Sequence, residues 1–168
     1  MSIPAGYRII GRTEADDVAL AALETRAGKL FAPYHPQVAN QPPSDAGSVR
    51  ALFAGRDVWV AADGSGPAGF IVAAPLGPYF HIFELSVDPS HGRRGLGSAL
   101  VACVEHEAAK RGLEGISLTT FRDVPFNAPF YAGLGFVEAD GPLLAERRRL
   151  ETPQGCDPAS RVAMLKRL

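Results

Sequence analysis

The chain has 168 residues and a formal net charge of −1, with 46% hydrophobic and 21% charged residues. This composition is typical of a globular protein with a proper core, so we expect one domain over residues 1–168. The near-neutral charge argues against a broad nucleic-acid surface, and no apolar run is long enough to cross a membrane. The N-terminal residues lack a secretory-signal pattern, and the two cysteines and four histidines have no ligand spacing. We therefore expect a cytoplasmic protein without a metal site, a nucleic-acid partner or a membrane anchor.

The first half of the chain is predicted to form a strand, two helices and three further strands. Thr13 followed by Asp16 resembles a capping box at the start of the first helix, and Ser44 or Asp45 caps the second helix. Gly64 lies in a hairpin turn signal between two of the strands. The expected ranges of these six elements are about 7–10, 14–31, 45–55, 57–62, 67–74 and 79–87.

The least regular part of this half is the segment from Pro33 to Ser44, which contains four prolines. Such a segment is expected to be neither a helix nor a central strand. It is either a plain connector or a lid over a site, because long irregular loops in compact domains are often functional. Tyr34 and His35 are the candidate functional residues there; the alternative is an exposed aromatic ring and an exposed histidine without a role.

The stretch from Leu85 to Gly112 is the most informative part of the chain. A strand is followed by a glycine-rich turn and then by apolar residues at helical spacing, which predict a helix. The first turn of such a helix has unpaired N–H groups and a partial positive charge, and Gly95 and Gly97 let a ligand approach the backbone. These residues predict an anion site. The alternative is a tight strand-to-helix turn that only needs glycine, with Arg93 and Arg94 as two solvated side chains. The apolar face expected in the core comprises Leu96, Leu100, Cys103, Val104 and Ala108.

The six positions Gly92-Arg93-Arg94-Gly95-Leu96-Gly97 follow a strand that ends Val87-Asp88-Pro89. Together they resemble motif A of the GCN5-related N-acetyltransferases, the GNAT superfamily, in which this loop and helix N-terminus hold the pyrophosphate of acetyl-CoA. Gly92 departs from the Gln or Arg usual there, which puts one side-chain contact to the phosphates in doubt. The resemblance implies acetyl-CoA as co-substrate without a metal. The cofactor contacts that it implies are Leu85, Ser86, Val87, Arg93, Arg94, Gly95, Leu96, Gly97 and Ser98.

Residues 115–121 are predicted to form a strand parallel to the one at 79–87, because a strand–loop–helix–strand unit makes a crossover. A short helix from about residue 128 to 134 and a further strand follow. This segment resembles the GNAT pattern Asn-x-x-Ala/Pro-x-x-Phe-Tyr-x-x-x-Gly-Phe. The resemblance implies that Asn127 contacts the pantetheine arm and that Tyr131 acts as general acid near the sulfur. The alternative for Tyr131 is a half-buried core aromatic residue.

Residues 140–157 are polar and interrupted by prolines, so we expect an irregular connection with a solvated turn of helix or loop at 146–149. A final strand is predicted over 161–168. The order of elements resembles the GNAT fold over nearly the whole chain. It implies an α/β (α+β) fold with a mixed, mostly antiparallel sheet of six to seven strands and about four flanking helices. The fourth and fifth strands are expected to be parallel and to splay apart.

Acyl transfer to an amine needs a proton acceptor, because only about one in a thousand lysine-like amines is neutral at pH 7. Glu84 matches a glutamate often found in bacterial members of the family, and His81 has a suitable ordinary pKa. In a regular strand these two residues face opposite sides, whereas a bulge would change the facing of one of them. Glu84, His81 and water remain the candidates for the base, and a surface role without catalysis is the alternative for each side chain.

The resemblance implies an acetyl-CoA-dependent N-acetyltransferase that acetylates a primary amine of a small molecule or peptide by direct attack. A non-catalytic acyl-CoA-binding regulatory module on the same fold is the alternative, because fold alone does not fix function. We expect Tyr34, His35, His81 and the 140–159 segment to contact the acceptor. A homodimer remains an option for the assembly.

Overall fold

The computed structural model describes residues 2–168, and the sheet within them has seven strands. The strands are β1 (Arg8–Gly11), β2 (Asp57–Asp63), β3 (Gly66–Leu76), β4 (Tyr79–Val87), β5 (Gly115–Phe121), β6 (Val137–Glu138) and β7 (Arg161–Arg167). Their order in the sheet is β1-β2-β3-β4-β5-β7-β6. Strands β4 and β5 are parallel, and every other neighbouring pair in residues 2–168 is antiparallel. This mixed sheet with one parallel pair confirms the predicted fold class.

Six α-helices, rather than about four, flank the sheet within the described residues. They are α1 (Asp17–Gly28), α2 (Pro36–Ala39), α3 (Ala46–Phe53), α4 (Leu96–Lys110), α5 (Ala128–Gly133) and α6 (Pro142–Leu150). Turns of 3-10 helix extend α1 at both ends, so the helical segment predicted over 14–31 is confirmed. No helix within residues 2–168 has the length and apolar character needed to cross a membrane.

Two of the helices correct predictions of irregular structure. The one-turn helix α2 lies inside the 33–44 segment, and α6 lies inside the 140–159 segment. Helix α6 includes residues 146–149, for which a turn of helix was one of the two predicted alternatives, but it is longer than that turn. Each helix begins with a proline, Pro36 or Pro142. The first residue of a helix needs no N–H acceptor, so a proline there starts a helix rather than breaking it.

The sheet carries helices on both faces, and each face has its own hydrophobic core. On the face that carries α4, buried residues of that helix such as Leu100 and Val104 pack against Ile116 and the rest of the central strands. Cys103 is only partly buried, contrary to the prediction that it lies in the core. On the other face, α1 and α3 bury a second cluster that includes Leu20, and α6 lies over β5 and β7. We call these two surfaces the α4 face and the α1 face.

Helix α1 is anchored by a buried ion cluster at its first residue. The Asp17 side chain is fully buried, and its carboxylate accepts hydrogen bonds from Arg12 Nε at 2.7 Å and from Arg50 Nε at 2.7 Å. The hydrogen bond from Arg12 lowers the pKa of Asp17, and Arg50 adds to this effect against the opposing effect of burial. The cluster ties α1 to α3 and to the segment that follows β1.

The fourth strand contains a β-bulge. The antiparallel register with β3 pairs Ile82 with Ala73 and Glu84 with Val72, so Phe83 is an extra residue in β4. The parallel pairing with β5 ends at Ile82, although β4 continues to Val87. Because a bulge bends its strand and increases the local twist, β4 and β5 separate beyond this point.

Candidate active site

The loop between β4 and α4 presents the backbone of the helix start. Gly95 is the N-cap residue of α4 with φ of 84°, a left-handed conformation that favours glycine, and its carbonyl accepts from Ala99 N–H at 3.0 Å. The N–H groups of Leu96, Gly97 and Ser98 belong to the first turn, where no helical acceptor exists. With the partial positive charge of the helix N-terminus, these groups can bind an anion such as a phosphate.

The side chains around this loop hold it in place. Asp88 accepts a hydrogen bond from Ser90 N–H at 3.0 Å and one from Arg26 Nε at 2.9 Å, which ties the loop to α1. Arg93 is exposed and has a positive φ of 60°, whereas Arg94 Nη1 donates to Tyr7 Oη at 3.0 Å. Of the two predicted phosphate-binding arginines, Arg93 is therefore the one whose side chain has no protein acceptor among residues 2–168.

Beyond Ile82, the gap between β4 and β5 leads from the α4 loop to the α1 face of the sheet. Residues 85–87 form one wall, and their backbone groups on the β5 side have no strand partner, since the parallel pairing has already ended. Asn127 lies at the far end of the gap, beside the last residue of β5, where its Oδ1 accepts a hydrogen bond from Phe121 N–H at 3.4 Å. Gly97 also borders the gap, because a Cβ atom there would lie 3.2 Å from Phe130 Cζ and 3.9 Å from Leu85 Cδ2.

Glu84 lies on the α1 face beside this gap. Its register partner Val72 belongs to the core under α1, and the bulge at Phe83 places Glu84 on the same face as His81. Burial raises the pKa of Glu84 to about 7, and the negative charge of Glu24 on α1 adds to the rise. The carboxylate accepts a hydrogen bond from Ser86 Oγ at 2.8 Å, which lowers the pKa in part. A carboxyl group with this pKa can accept and return a proton near neutrality.

Tyr131 occupies the opposite side of the gap, on α5. It is buried between Phe130 and Phe136, whose ring centroids lie 5.0 and 5.6 Å away. Burial raises the pKa of Tyr131 well above its ordinary value, and the charge of Glu84 contributes to the rise. The hydroxyl therefore stays protonated near neutral pH and can act as a proton donor.

His81 is buried and both of its ring nitrogens have protein partners. Nδ1 lies 2.9 Å from Ser117 Oγ, and Nε2 lies 3.0 Å from Glu151 Oε1. Burial raises the pKa of Glu151, but hydrogen bonds from His81, Thr119 and Arg147 outweigh it, so the pKa is lowered overall. An ionised carboxylate only accepts, so we assign the donated hydrogen to Nε2. His81 is thus held as part of a buried hydrogen-bond network.

The two candidates from the 33–44 segment have different environments. His35 is buried, contrary to the alternative of an exposed histidine, and its ring stacks on Phe121 with centroids 3.9 Å apart. Its Nε2 lies 3.4 Å from Asp123 Oδ1. Tyr34 is 41% exposed and meets Phe126 edge to face at 6.1 Å. His35 therefore lies over the end of β5, whereas Tyr34 lies against Phe126, the residue before Asn127. Both are near the end of the gap that Asn127 borders, which we call the mouth of the gap.

Three charged residues of this site were not predicted from the sequence: Glu24, Glu151 and Arg161. They come from α1, from the end of α6 and from the first position of β7, and they meet only in the folded chain. Arg161 is 8% exposed, its guanidinium lies 4.7 Å from the Phe121 ring centroid, and its Nη2 donates to Thr119 Oγ1 at 2.9 Å. The one available signal was an arginine directly before four apolar residues, at positions 162–165, in the final strand.

The site combines a helix start whose free N–H groups can bind an anion, an open slot between two strands, a carboxyl group with a pKa of about 7 and a buried phenol. These features fit acetyl-CoA, since its pyrophosphate needs N–H donors and its pantetheine arm needs an extended slot. No group of three or more His, Cys, Asp or Glu side chains with metal-binding geometry occurs in residues 2–168.

Comparisons with solved structures show the same fold in N-acetyltransferases. A GCN5-related N-acetyltransferase from Rhodopseudomonas palustris matches with a TM-score of 0.73 and 20% identity, covering 100% of this chain and 99% of that one. The ribosomal-protein-alanine N-acetyltransferase from Brucella melitensis matches with a TM-score of 0.71 and 18% identity, covering 96% and 99%. PaiA N-acetyltransferase from Thermoplasma acidophilum, solved in complex with coenzyme A, matches with a TM-score of 0.69 and 17% identity, covering 96% and 99%.

The solved structures are distant in sequence and show only a shared fold, whereas a family model assigns the chain to a family. The model of the acetyltransferase (GNAT) family matches residues 25–136, about two thirds of the chain. The matched range includes Glu84, the glycine-rich loop, α4 and Tyr131. The chain therefore belongs to the acetyltransferase (GNAT) family, and it is an acyltransferase enzyme.

Proposed function

We propose that the chain transfers the acetyl group of acetyl-CoA to a primary amine of a small molecule or peptide, with residues 1–168 acting as one catalytic domain. The observation that carries this proposal is the position of Glu84. A carboxyl group with a pKa of about 7 lies beside the gap between β4 and β5, on the face where an acceptor can approach.

In this proposal the cofactor enters from the α4 face. The first-turn N–H groups of α4 and the exposed Arg93 bind the pyrophosphate. Residues 85–87 hold the pantetheine arm through the backbone groups that β5 does not use, and Asn127 borders the arm at the end of β5. The acetyl end then reaches the α1 face between Glu84 and Tyr131.

Acetyl-CoA supplies the acetyl group as a thioester, so a C–N bond forms at the carbonyl carbon as the C–S bond breaks. Glu84, ionised, accepts the proton that the ammonium group of the acceptor must lose before its nitrogen can attack. A backbone N–H of β4 between residues 85 and 87 donates to the carbonyl oxygen as negative charge develops there. Tyr131 donates its hydroxyl proton to the departing sulfur and regains a proton from solvent or from the acceptor side.

Glu84 suits the role of base better than His81. Both nitrogens of His81 are occupied by Ser117 and Glu151, whereas Glu84 is half-buried and has one hydrogen bond, from Ser86. We assign His81 a positioning role, because its ring links β4 and β5 to the end of α6. Tyr34 and His35, at the mouth of the gap, are the proposed acceptor contacts.

The test is release of free coenzyme A thiol from acetyl-CoA in the presence of a panel of primary amines, with the acetylated product identified by mass spectrometry. The proposal expects thiol release that requires an amine and yields one N-acetylated product per thiol. Tight binding of acetyl-CoA without amine-dependent thiol release for any member of a broad panel would favour a regulatory acyl-CoA-binding module instead.

A further inference from the structure

Arg161 is a buried cation without an ion-pair partner among the described residues. Its side chain makes one hydrogen bond, from Nη2 to Thr119 Oγ1, and its Nε is buried without an acceptor in residues 2–168. A buried guanidinium is ordinarily paired with a carboxylate, because removing an unpaired charge from water is costly. Burial lowers the pKa of Arg161, although arginine remains charged throughout the physiological range.

The nearest carboxylate in the same network is already used by other donors. Glu151 accepts from His81, Arg147 and the Thr119 hydroxyl. Arg161 reaches it only through that hydroxyl, which accepts from Arg161 and donates to Glu151. The Nε–H is fully enclosed, whereas Nη1 has no acceptor in residues 2–168 and is not fully buried. Nη1 is therefore the part of the guanidinium group that an acceptor from outside the chain can reach.

The position of Arg161 is at the end of the gap where acetyl transfer is proposed. It stands opposite Phe121 in the β5–β7 register, and its guanidinium lies over that ring. The N–H of Phe121 donates to Asn127 at the end of the gap, so Arg161 stands next to that end. Its positive charge lowers the pKa of both Glu84 and Tyr131. Glu24, by contrast, adds negative charge on the α1 side of Glu84. The α1 face thus offers a cation and a pair of carboxyl groups to one small ligand.

We propose that Arg161 binds a carboxylate of the acceptor, so that the acceptor is an amino acid or a similar molecule with a carboxylate a few bonds from its primary amine. This inference rests on the proposed acetyl transfer and names its substrate class. The ammonium group lies toward Glu84 and Glu24, and the carboxylate lies toward Arg161. Arginine suits this role, because its planar guanidinium matches a carboxylate and Phe121 fixes the plane.

The experiment compares three acceptors that share a side chain: phenylalanine, phenylalaninamide and phenethylamine, with putrescine as a dication. The aromatic side chain is chosen because Tyr34 and Phe126 are partly exposed at the mouth of the gap. For Arg161→Gln we expect kcat/KM for phenylalanine to fall at least about tenfold, as expected for loss of a charged hydrogen bond. The values for phenylalaninamide and phenethylamine should change less than about threefold when they are measured well above pH 7, where Glu84 stays ionised even after loss of the Arg161 charge. Comparing each acceptor between wild type and variant cancels differences in the intrinsic amine pKa.

Arg122→Gln is the matched control, because Arg122 follows Phe121 directly in the chain but is exposed and ion-paired with Glu138. It should leave all three values unchanged. Arg161→Lys, which retains the charge without the planar fork, should lie between the wild type and the Gln variant. If Arg161→Gln does not fold, calorimetry on the wild type with N-acetylphenylalanine and its amide replaces it, and the acid should bind at least about tenfold more tightly.

An equal loss for all acceptors in Arg161→Gln, or wild-type activity with putrescine that exceeds activity with phenylalanine, would overturn the carboxylate assignment and leave the proposed acetyl transfer intact. Absence of thiol release with every amine would instead contradict the proposed function. In that case equal affinity for N-acetylphenylalanine and its amide would also overturn the proposed carboxylate site at Arg161.

Discussion

Replacing Glu84 with Gln should remove the rise of kcat with pH that we expect for the wild-type enzyme near neutrality. The base works only when it is ionised, and burial raises the pKa of Glu84 from its ordinary value of 4.5 to about 7. The wild-type kcat should therefore increase about tenfold per pH unit below this value and level off above it. Gln has a similar size and cannot accept the proton, so kcat should fall by roughly 10²–10⁴ and lose this dependence on pH.

The size of the pKa change also sets a cost in stability. A rise from 4.5 to about 7 corresponds to about 3 kcal/mol for ionising this carboxyl group in the folded state rather than in the unfolded chain. The folded state holds the proton more tightly, so this group makes the protein less stable as the pH rises from 4.5 to about 7, with no further change above that value. Glu84→Gln should accordingly be more stable than the wild type at pH 8.

Two neighbours move the same pKa in opposite directions and provide matched controls. The Ser86 hydroxyl stabilises the ionised carboxylate, so Ser86→Ala should shift the rise of kcat to higher pH. The charge of Glu24 opposes ionisation, so Glu24→Gln should shift it to lower pH. The assay is kcat at saturating concentrations of both substrates, because kcat reports ionisations of the bound complex rather than of the free amine.

Carbon-13 NMR of labelled glutamate provides a direct measurement of the Glu84 pKa. An unchanged pH profile in Glu84→Gln, or shifts in the same direction for Ser86→Ala and Glu24→Gln, would refute the assignment of Glu84 as the base. In that event water or another group would remove the proton from the amine.

Three further changes test other parts of the site and the fold. Tyr131→Phe removes only the hydroxyl, so kcat should fall at least about tenfold while acetyl-CoA affinity stays nearly the same in calorimetry; a loss of affinity without a loss of kcat would mark a positioning residue. Gly97→Glu places a side chain against Phe130 and a negative charge at the first turn of α4. The affinity for acetyl-CoA should therefore fall more in this variant than in Gly97→Ala, which adds only a methyl group. Equal affinities in the two folded variants would argue against pyrophosphate binding at this turn. Asp17→Asn leaves two guanidinium groups without their buried carboxylate, so the free energy of unfolding measured with urea should fall by roughly 3 kcal/mol. The wild type should lose the same contribution as the pH falls through the lowered pKa of Asp17, and an unchanged free energy of unfolding in Asp17→Asn would contradict the stabilising role of the cluster.

Local patterns were sufficient to predict the elements that we propose to bind acetyl-CoA. The helix from Leu96 to Lys110 has apolar residues at helical spacing, a glycine turn before it and a glycine after it, and each signal agrees with the others. The proline-rich segments were harder, because proline both breaks a helix interior and favours its first position. Pro36 and Pro142 occupy first positions, and their segments form helices that the count of prolines argued against.

The active-site candidates also fall into two groups: those that lie in local sequence motifs and those that depend on contacts between distant parts of the chain. Tyr131 and Gly97 lie in contiguous motifs, so their neighbourhood could be predicted from the sequence. The facing of Glu84 relative to His81 depended on a bulge, which no local pattern marks. The pairing of His81 with Glu151 and the burial of Arg161 depend on contacts across 70 and 42 residues of chain, which only the folded sheet brings together.

The gap between β4 and β5 depends on the presence of one extra residue in β4, Phe83, rather than on the identity of its side chain. Deleting this one residue would leave Glu84 and Leu85 facing their present sides, because the strand would return to simple alternation. The bend that separates β4 from β5 would be lost, however, and the two strands could continue to pair past Ile82. Substitutions at Phe83 should therefore be far better tolerated than its removal. In this chain, the presence of an extra residue between Ile82 and Glu84 should therefore matter more for the gap than which side chain that residue carries.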